Sequence, residues 1–174
     1  MIGHHELIRG ELFRILNPKL QSEVNLNFSR LIINVRLARD FKIPANDGDF
    51  YIKGGLRSPL SWYISALRAL REELGENVPA TIISDGSSDE LFDLLKEPCV
   101  ERFVSHTAVQ DLLAMCNAEH IIGTGGSSFT AWGGFLSQAN IITIEGQSIN
   151  WFKLQSSSSG RMRTFNMKKN SFGN

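Results

Sequence analysis

The chain has 174 residues, of which 42% are hydrophobic and 21% charged, a composition ordinary for a folded domain with a substantial core. Its 18 basic and 18 acidic side chains balance, so net charge gives no argument for a nucleic-acid or membrane partner. No apolar run approaches the ~20 residues of a membrane helix. No signal segment opens the sequence, which favours a cytoplasmic protein. Cys99 and Cys116 are expected to be small core residues, and no His/Cys cluster indicates a metal.

Apolar spacing along the chain predicts helices and strands in alternation. Helix ends are marked by Asn17-Pro18 after the first helix, by Pro59 at the start of the second and by Gly75 at its end. In chain order, the expected elements are a helix over Glu6–Leu16, a strand over Leu31–Val35, a helix over Ser58–Leu74, a strand over Ala80–Ser84, a helix over Ser88–Leu95, a strand over Val100–Val104, a helix over Thr107–Cys116, a strand over His120–Gly123, a helix over Ser127–Ser137 and a strand over Ile141–Ile144.

Short strands that alternate with helices are typical of βαβ units and a parallel sheet. We therefore predict an α/β domain over residues 1–146, a Rossmann-like parallel sheet of about five strands with helices on both faces. Residues 147–174 contain five basic residues and no acidic one. They are expected to form a basic, Ser/Asn-rich tail, either solvated or in contact with an acidic surface or a phosphate. Within the tail, Ser156–Ser159 has the composition of a flexible linker.

The carboxyl ends of the strands are where open α/β sheets bind their ligands, so polar residues there are the candidate site residues. Arg36 follows the first strand, and its planar guanidinium is suited to a phosphate. The same residue would equally brace its loop by pairing with Asp40. Local sequence does not choose between these interpretations.

Two carboxylates follow later strands. Asp85 would accept hydrogen bonds from a base or a sugar, or cap the next helix, although Ser87 or Ser88 is better placed for capping. Asp111 lies in the first turn of a helix that Thr107 is expected to cap, where a carboxylate also favours the helix dipole. A structural and a ligand-binding interpretation are open for both carboxylates.

A glycine-rich turn, Gly123–Phe129, joins a strand to a helix. Its glycines would let the backbone approach a ligand closely, and the helix start offers N–H groups and positive dipole charge to a phosphate. Ser127 and Ser128 add hydroxyl donors. Capping explains one serine but not three glycines and two serines together, so phosphate binding is predicted here.

The same turn also approximates a dinucleotide fingerprint, with the spacing Gly123-x-Gly125-x-x-Ser128. Glu145 lies 20 residues beyond Gly125, at the end of a strand, where a ribose-binding acid is expected. A serine replaces the third glycine, and only one further strand is predicted after the motif. An NAD(P)-dependent oxidoreductase is therefore one alternative.

Three segments resemble, in order and spacing, the motif regions of α1,2- and α1,6-fucosyltransferases. Asp111–Gly146 is similar to the third region, in which an aspartate-led helix precedes a strand, a Ser-Ser-Phe at a helix start and a Trp-Gly pair. Ile32–Phe41 resembles the HxRxxD segment, and Ile83–Leu91 resembles the Ser-Asp strand end. Together the segments span about Leu31 to Gly146.

The resemblance implies the C-terminal, donor-binding half of a GT-B glycosyltransferase, which holds GDP-fucose without a metal. By position, Arg36 would bind the diphosphate, and Asp85 and Asp111 would contact the ribose or guanine. Ser127, Ser128 and the backbone around Phe129 would hold the phosphates. The expected function is thus transfer of a sugar from a nucleotide sugar, GDP-fucose or a relative, to a glycan.

Two departures from the family pattern limit the transfer of roles. Asn34 replaces the histidine that heads the first motif, and it remains a substrate-binding candidate although an asparagine cannot act as a general base. Leu37 replaces the second arginine, and one extra residue precedes Asp40. No catalytic residue is therefore assigned, and a non-catalytic nucleotide-binding module is the other alternative. Because the chain is short for two domains, a separate acceptor-binding domain is an expected partner.

Overall fold

The computed structural model describes residues 4–18, 20, 29–38, 40–46, 49, 55–105, 107–147 and 162–173. Helices and strands alternate through most of this range, as the apolar spacing predicts. The elements are α1 (His5–Ile15), β1 (Leu31–Val35), α2 (Leu60–Leu74), β2 (Ala80–Ser84), α3 (Phe92–Leu95), β3 (Val100–Arg102), α4 (Ala108–Met115), β4 (His120–Gly123), α5 (Ser128–Ser137), β5 (Asn140–Ile144), β6 (Met162–Asn166) and β7 (Ser171–Gly173).

Seven strands form one sheet in the order β3-β2-β1-β4-β5-β6-β7. Neighbouring strands are parallel from β3 across to β6, and β7 pairs with β6 in the antiparallel sense. The order of the first six strands is that of doubly wound sheets, which bind ligands in the crevice where the strand order reverses. In this sheet the reversal lies between β1 and β4.

Helices cover both faces of the sheet, as predicted. Alternate residues of a strand point to opposite faces, and all five residues of β1 are buried. On one face, Leu31 and Ile33 pack in a cluster with Trp62 and Leu67 of α2. On the other face, Ile32 packs in a cluster with Met115 at the end of α4 and with neighbouring residues of β2, β4 and α5. The protein is therefore a three-layered α/β structure.

The prediction of about five strands was too low, because β6 and β7 lie in the segment expected to be a tail. Phe165 of β6 is fully buried, and its carbonyl oxygen accepts a hydrogen bond of 3.0 Å from Nε1 of Trp62. The other residues of β6 are only half-buried. The sequence therefore lacks the apolar run or alternation that marked the other strands. The proposed linker, Ser156–Ser159, lies outside the described residues.

Two further expectations differ from the structure. The predicted helix over Ser88–Leu95 shortens to α3, because Ser87 and Glu90 form a reciprocal capping pair in a turn that precedes it. Cys116 is buried as predicted, but Cys99 is exposed and has a φ of 54°. In the described part of the chain, none of the helices combines the length and the apolar character needed to cross a membrane.

Candidate functional site

A cavity of about 480 Å³ opens at the carboxyl edge of the sheet, beside the reversal between β1 and β4. Its walls come from the ends of β1 and β2, the loop after β3 and the first turns of α4 and α5. Five of the seven predicted substrate-binding residues line it. They are Asn34, Arg36, Asp85, Asp111 and Phe129.

Arg36 lines the cavity and also braces its loop, so the two interpretations of this residue coexist. Its Nη2 donates to Oδ2 of Asp40 at 3.0 Å. Its Nε lies 2.9 Å from Oδ2 of Asp85, without hydrogen-bond alignment, and its guanidinium lies over the ring of Phe41. An anionic ligand would therefore share Arg36 with two carboxylates already in place.

Asp85 acts as a clamp on the loop that follows β1. Its Oδ1 accepts the backbone N–H groups of Leu37 at 2.7 Å and Ala38 at 3.2 Å. Of the two roles open for Asp85, capping is not the one seen, because Ser87 accepts the N–H of Glu90 in the turn that precedes α3 and the N-cap of α3 is Leu91. Asp85, which was expected to contact a ribose or base, therefore also fixes the loop after β1, which forms one wall of the cavity.

Asp111 contributes a half-buried carboxyl to the opposite wall. Burial, followed by repulsion from Asp85, raises the pKa of this carboxyl above its ordinary value, while a hydrogen bond from Ser105 and the charges of Arg102 and Arg36 oppose the shift. Thr107 caps α4 as predicted, because its side chain accepts the N–H of Gln110. Asp111 presents to the cavity a carboxyl that already accepts one hydrogen bond, from Ser105.

The glycines of the turn after β4 each have an internal reason. A Cβ on Gly123 would lie 2.1 Å from Cγ2 of Thr130, and one on Gly125 would lie 2.3 Å from Cβ of Gln147. Gly126 has a φ of 71°, in the left-handed region that favours glycine. The inference from the glycines to a phosphate therefore weakens, because close packing explains them without a ligand.

The residues that follow these glycines have different roles. Ser127 is the N-cap of α5, is 2% exposed and accepts the N–H of Thr130. Ser128 is exposed in the first turn, and Phe129 lines the cavity. Of the two serines, Ser128 is the one whose hydroxyl is open to a ligand.

Asn34 lies at the floor of the cavity and is only 1% exposed. Its Nδ2 donates to the carbonyl oxygen of Ile83, and its Oδ1 accepts from Oγ1 of Thr130 at 2.9 Å. The amide therefore braces β1 against β2 and α5, and both of its ends are already hydrogen-bonded.

Sequence reasoning did not identify Arg102 or the pair formed by Tyr63 and Thr124. Arg102 ends β3, and its guanidinium donates to the carbonyl of Gly86 and to Oγ of Ser88. Arg36 was selected because it follows the carboxyl end of a strand. Arg102 meets the same criterion, but the sequence placed the end of β3 at Val104 instead of Arg102. Tyr63 and Thr124 gave no signal, because their contact joins α2 to the glycine-rich turn.

The remaining candidates lie away from the cavity. Glu145 accepts a hydrogen bond from Nδ2 of Asn166 and is not among the cavity's lining residues. Within the described ranges, no three His, Cys, Asp or Glu side chains are grouped to hold a metal ion. Comparison with known proteins finds neither a protein-family model nor a curated protein that matches the chain.

Proposed function

We propose that the chain is a donor-binding domain that holds a purine nucleoside diphosphate sugar, of the GDP-fucose type, as one half of a GT-B glycosyltransferase. The observation that carries the proposal is the gathering of Asn34, Arg36, Asp85, Asp111 and Phe129 around one cavity at the reversal of strand order. These residues come from all three of the segments that resemble the fucosyltransferase motif regions.

The chemistry of the walls suggests how the ligand is oriented. Phe129 supplies an apolar face for a base, and Asp111 is an acceptor for donors on a purine or ribose. The diphosphate would extend toward Arg36 and the first turn of α5, where the helix dipole and the exposed hydroxyl of Ser128 favour an anion. Fixed donors at that position would stabilise the charge of the departing diphosphate, which is the contribution a donor domain makes to sugar transfer.

A non-catalytic nucleotide-binding module is the second candidate, and Asn34 is the observation that favours it. The residue occupies the place of the family's histidine, and its amide is committed to Ile83 and Thr130. An amide takes no proton at neutral pH. If transfer occurs, the base for the acceptor hydroxyl must come from elsewhere, such as a separate acceptor domain.

A thermal-shift panel tests the proposal and separates it from the alternatives. GDP and GDP-fucose are expected to raise the melting temperature by mass action, with or without chelator, whereas UDP-sugars and NAD(P) are not. Stabilisation by NAD(P) alone would favour the oxidoreductase. GDP binding combined with no transfer to any glycan, even when an acceptor domain is supplied, would favour the non-catalytic module.

A pair of arginine variants locates the ligand. Arg36→Ala should weaken GDP binding by roughly 1.5–3 kcal/mol, the value of a hydrogen bond to a charged group. Arg68→Ala is the matched control, because Arg68 is an exposed residue of α2 that pairs with Glu97 and does not line the cavity. Equal GDP affinity in the two folded variants would remove Arg36 from the site.

A further inference from the structure

A buried pair of hydroxyl groups lies next to the cavity without lining it. Tyr63 of α2 is fully buried, and its Oη lies 2.6 Å from Oγ1 of Thr124. Thr124 is also fully buried and stands between Gly123 and Gly125 in the glycine-rich turn. Because neither hydroxyl reaches solvent, both need partners within the protein.

Thr124 fastens the glycine-rich turn to the end of β1. Its Oγ1 accepts the backbone N–H of Arg36 at 3.0 Å and donates to the carbonyl oxygen of Asn34 at 3.2 Å. Its own N–H donates to the same carbonyl at 3.1 Å. The Thr124 side chain is therefore one of the groups that hold the Arg36 backbone at a fixed distance from the start of α5, beside the Thr124 N–H and the Asn34–Thr130 hydrogen bond.

The contact between Tyr63 and Thr124 joins α2 to the glycine-rich turn through one hydrogen bond. The two hydroxyl oxygens lie 2.6 Å apart, and either hydroxyl can be the donor. Burial raises the pKa of Tyr63 to about 12, so the phenol is protonated at neutral pH. The hydroxyl of Tyr63 thus links α2 to the side chain of Thr124.

We propose that Tyr63 is a positioning residue for the nucleotide cavity, whose hydroxyl, acting through Thr124, sets the distance between Arg36 and the N-terminus of α5. The choice of ligand rests on the proposed function, whereas the positioning mechanism rests on the hydrogen bonds alone. A diphosphate held between these two groups is sensitive to their separation, because small displacements of positioning groups have large effects. A nucleoside without phosphates does not bridge them and is insensitive to it.

Tyr63→Phe removes the hydroxyl and keeps the ring, and Trp62→Phe is the matched control. Trp62 is the adjacent, equally buried aromatic residue, and its ring packs edge-to-face against Tyr63 at 4.9 Å. Its replacement loses a buried hydrogen bond to Phe165 and disturbs the packing of the Tyr63 ring but leaves the Tyr63 hydroxyl in place. By calorimetry, GDP affinity should fall about three- to tenfold in Tyr63→Phe and stay unchanged in Trp62→Phe. Guanosine affinity should be unchanged in both variants. A Tyr63→Phe variant that binds GDP as the wild type does would overturn the proposal.

Hydrogen exchange gives a readout that does not depend on the ligand. The Arg36 amide should exchange about three- to tenfold faster in Tyr63→Phe than in the wild type or in Trp62→Phe. If the wild type binds no nucleotide but this exchange pattern holds, the proposed function fails and the positioning role stands. If the Arg36 amide is equally protected in all three proteins, the positioning role fails.

Substitutions at Thr124 keep the proposal testable if Tyr63→Phe does not fold. Thr124→Ser retains the hydroxyl and should match the wild type in Arg36 exchange and in the ratio of GDP to guanosine affinity. Thr124→Val is nearly isosteric and lacks the hydroxyl, so it should lose both properties. Identical behaviour of the two Thr124 variants would contradict the mechanism.

Discussion

Asp85→Ala is expected to destabilise the protein by removing the clamp on the loop that follows β1. The carboxylate accepts two backbone N–H groups, from Leu37 and Ala38, and lies 2.9 Å from Nε of Arg36. A hydrogen bond to a charged group contributes about 1.5–3 kcal/mol. Because the side chain is 27% exposed, water replaces part of these contacts, and we expect a loss of about 2–3 kcal/mol of unfolding free energy in total.

Urea denaturation and thermal melting of the ligand-free protein measure this loss. For a chain of this size, 1 kcal/mol corresponds to roughly 2–4 °C in melting temperature, so Asp85→Ala should melt about 4–12 °C lower. Asp85→Asn should lose less, because its amide oxygen still accepts from Leu37.

Asp40→Ala is the control for the clamp. Asp40 pairs with the same Arg36, but it is 59% exposed and no bond from it to the loop backbone is seen among the described residues. Its removal should change stability by no more than about 0.5 kcal/mol. Equal, small effects of Asp85→Ala and Asp40→Ala would refute the idea that Asp85 holds the loop.

Two further predictions concern packing and pH. Gly123→Ala should cost about 1–3 kcal/mol of unfolding free energy, because the new Cβ would lie 2.1 Å from a methyl group of Thr130. Gly10→Ala in α1 is the control, because its new Cβ meets no atom within 4 Å. In the same denaturation assay it should be neutral or stabilising by up to about 1 kcal/mol. Burial lowers the pKa of His120 below its ordinary value of 6.5. As pH falls, the imidazole of the unfolded protein is therefore protonated before that of the folded protein. The stability that the neutral, buried His120 contributes is lost as pH falls through the folded-state pKa. His120→Gln should therefore lose less stability than the wild type between about pH 7.5 and about pH 5.5, and equal losses would rule out His120 as a source of the pH dependence.

The strands that the sequence predicted best are those in which short apolar runs are closely bounded by polar residues and glycine. β1, β2 and β4 have the predicted boundaries, because strands buried on both faces are apolar at consecutive positions. β6 escaped prediction because Phe165 is the one fully buried residue in it, and its place in the sheet depends on pairing with β5. A strand fixed by its neighbour rather than by its own pattern leaves little trace in the sequence.

The location of the site was more predictable than the roles of its residues. The carboxyl-end rule brought Arg36, Asp85 and Asp111 to one cavity, because parallel strands end at the same edge. The rule gave no information on the partners of each side chain. That Gly125 accommodates Gln147 is a tertiary contact that no local pattern encodes.

Mapping of backbone amide shifts on GDP titration, by NMR of the isotopically labelled protein, tests the central claim most directly. The account predicts saturable shifts at affinities better than about 1 mM, concentrated at Asn34–Ala38, Asp85, Asp111 and Ser128–Phe129 around the cavity. Amides at the opposite edge of the sheet, such as those of Leu31 and His120, should not move. No shifts at millimolar GDP, or shifts confined to residues away from the cavity, would contradict the proposal that this protein is a nucleotide-binding donor domain.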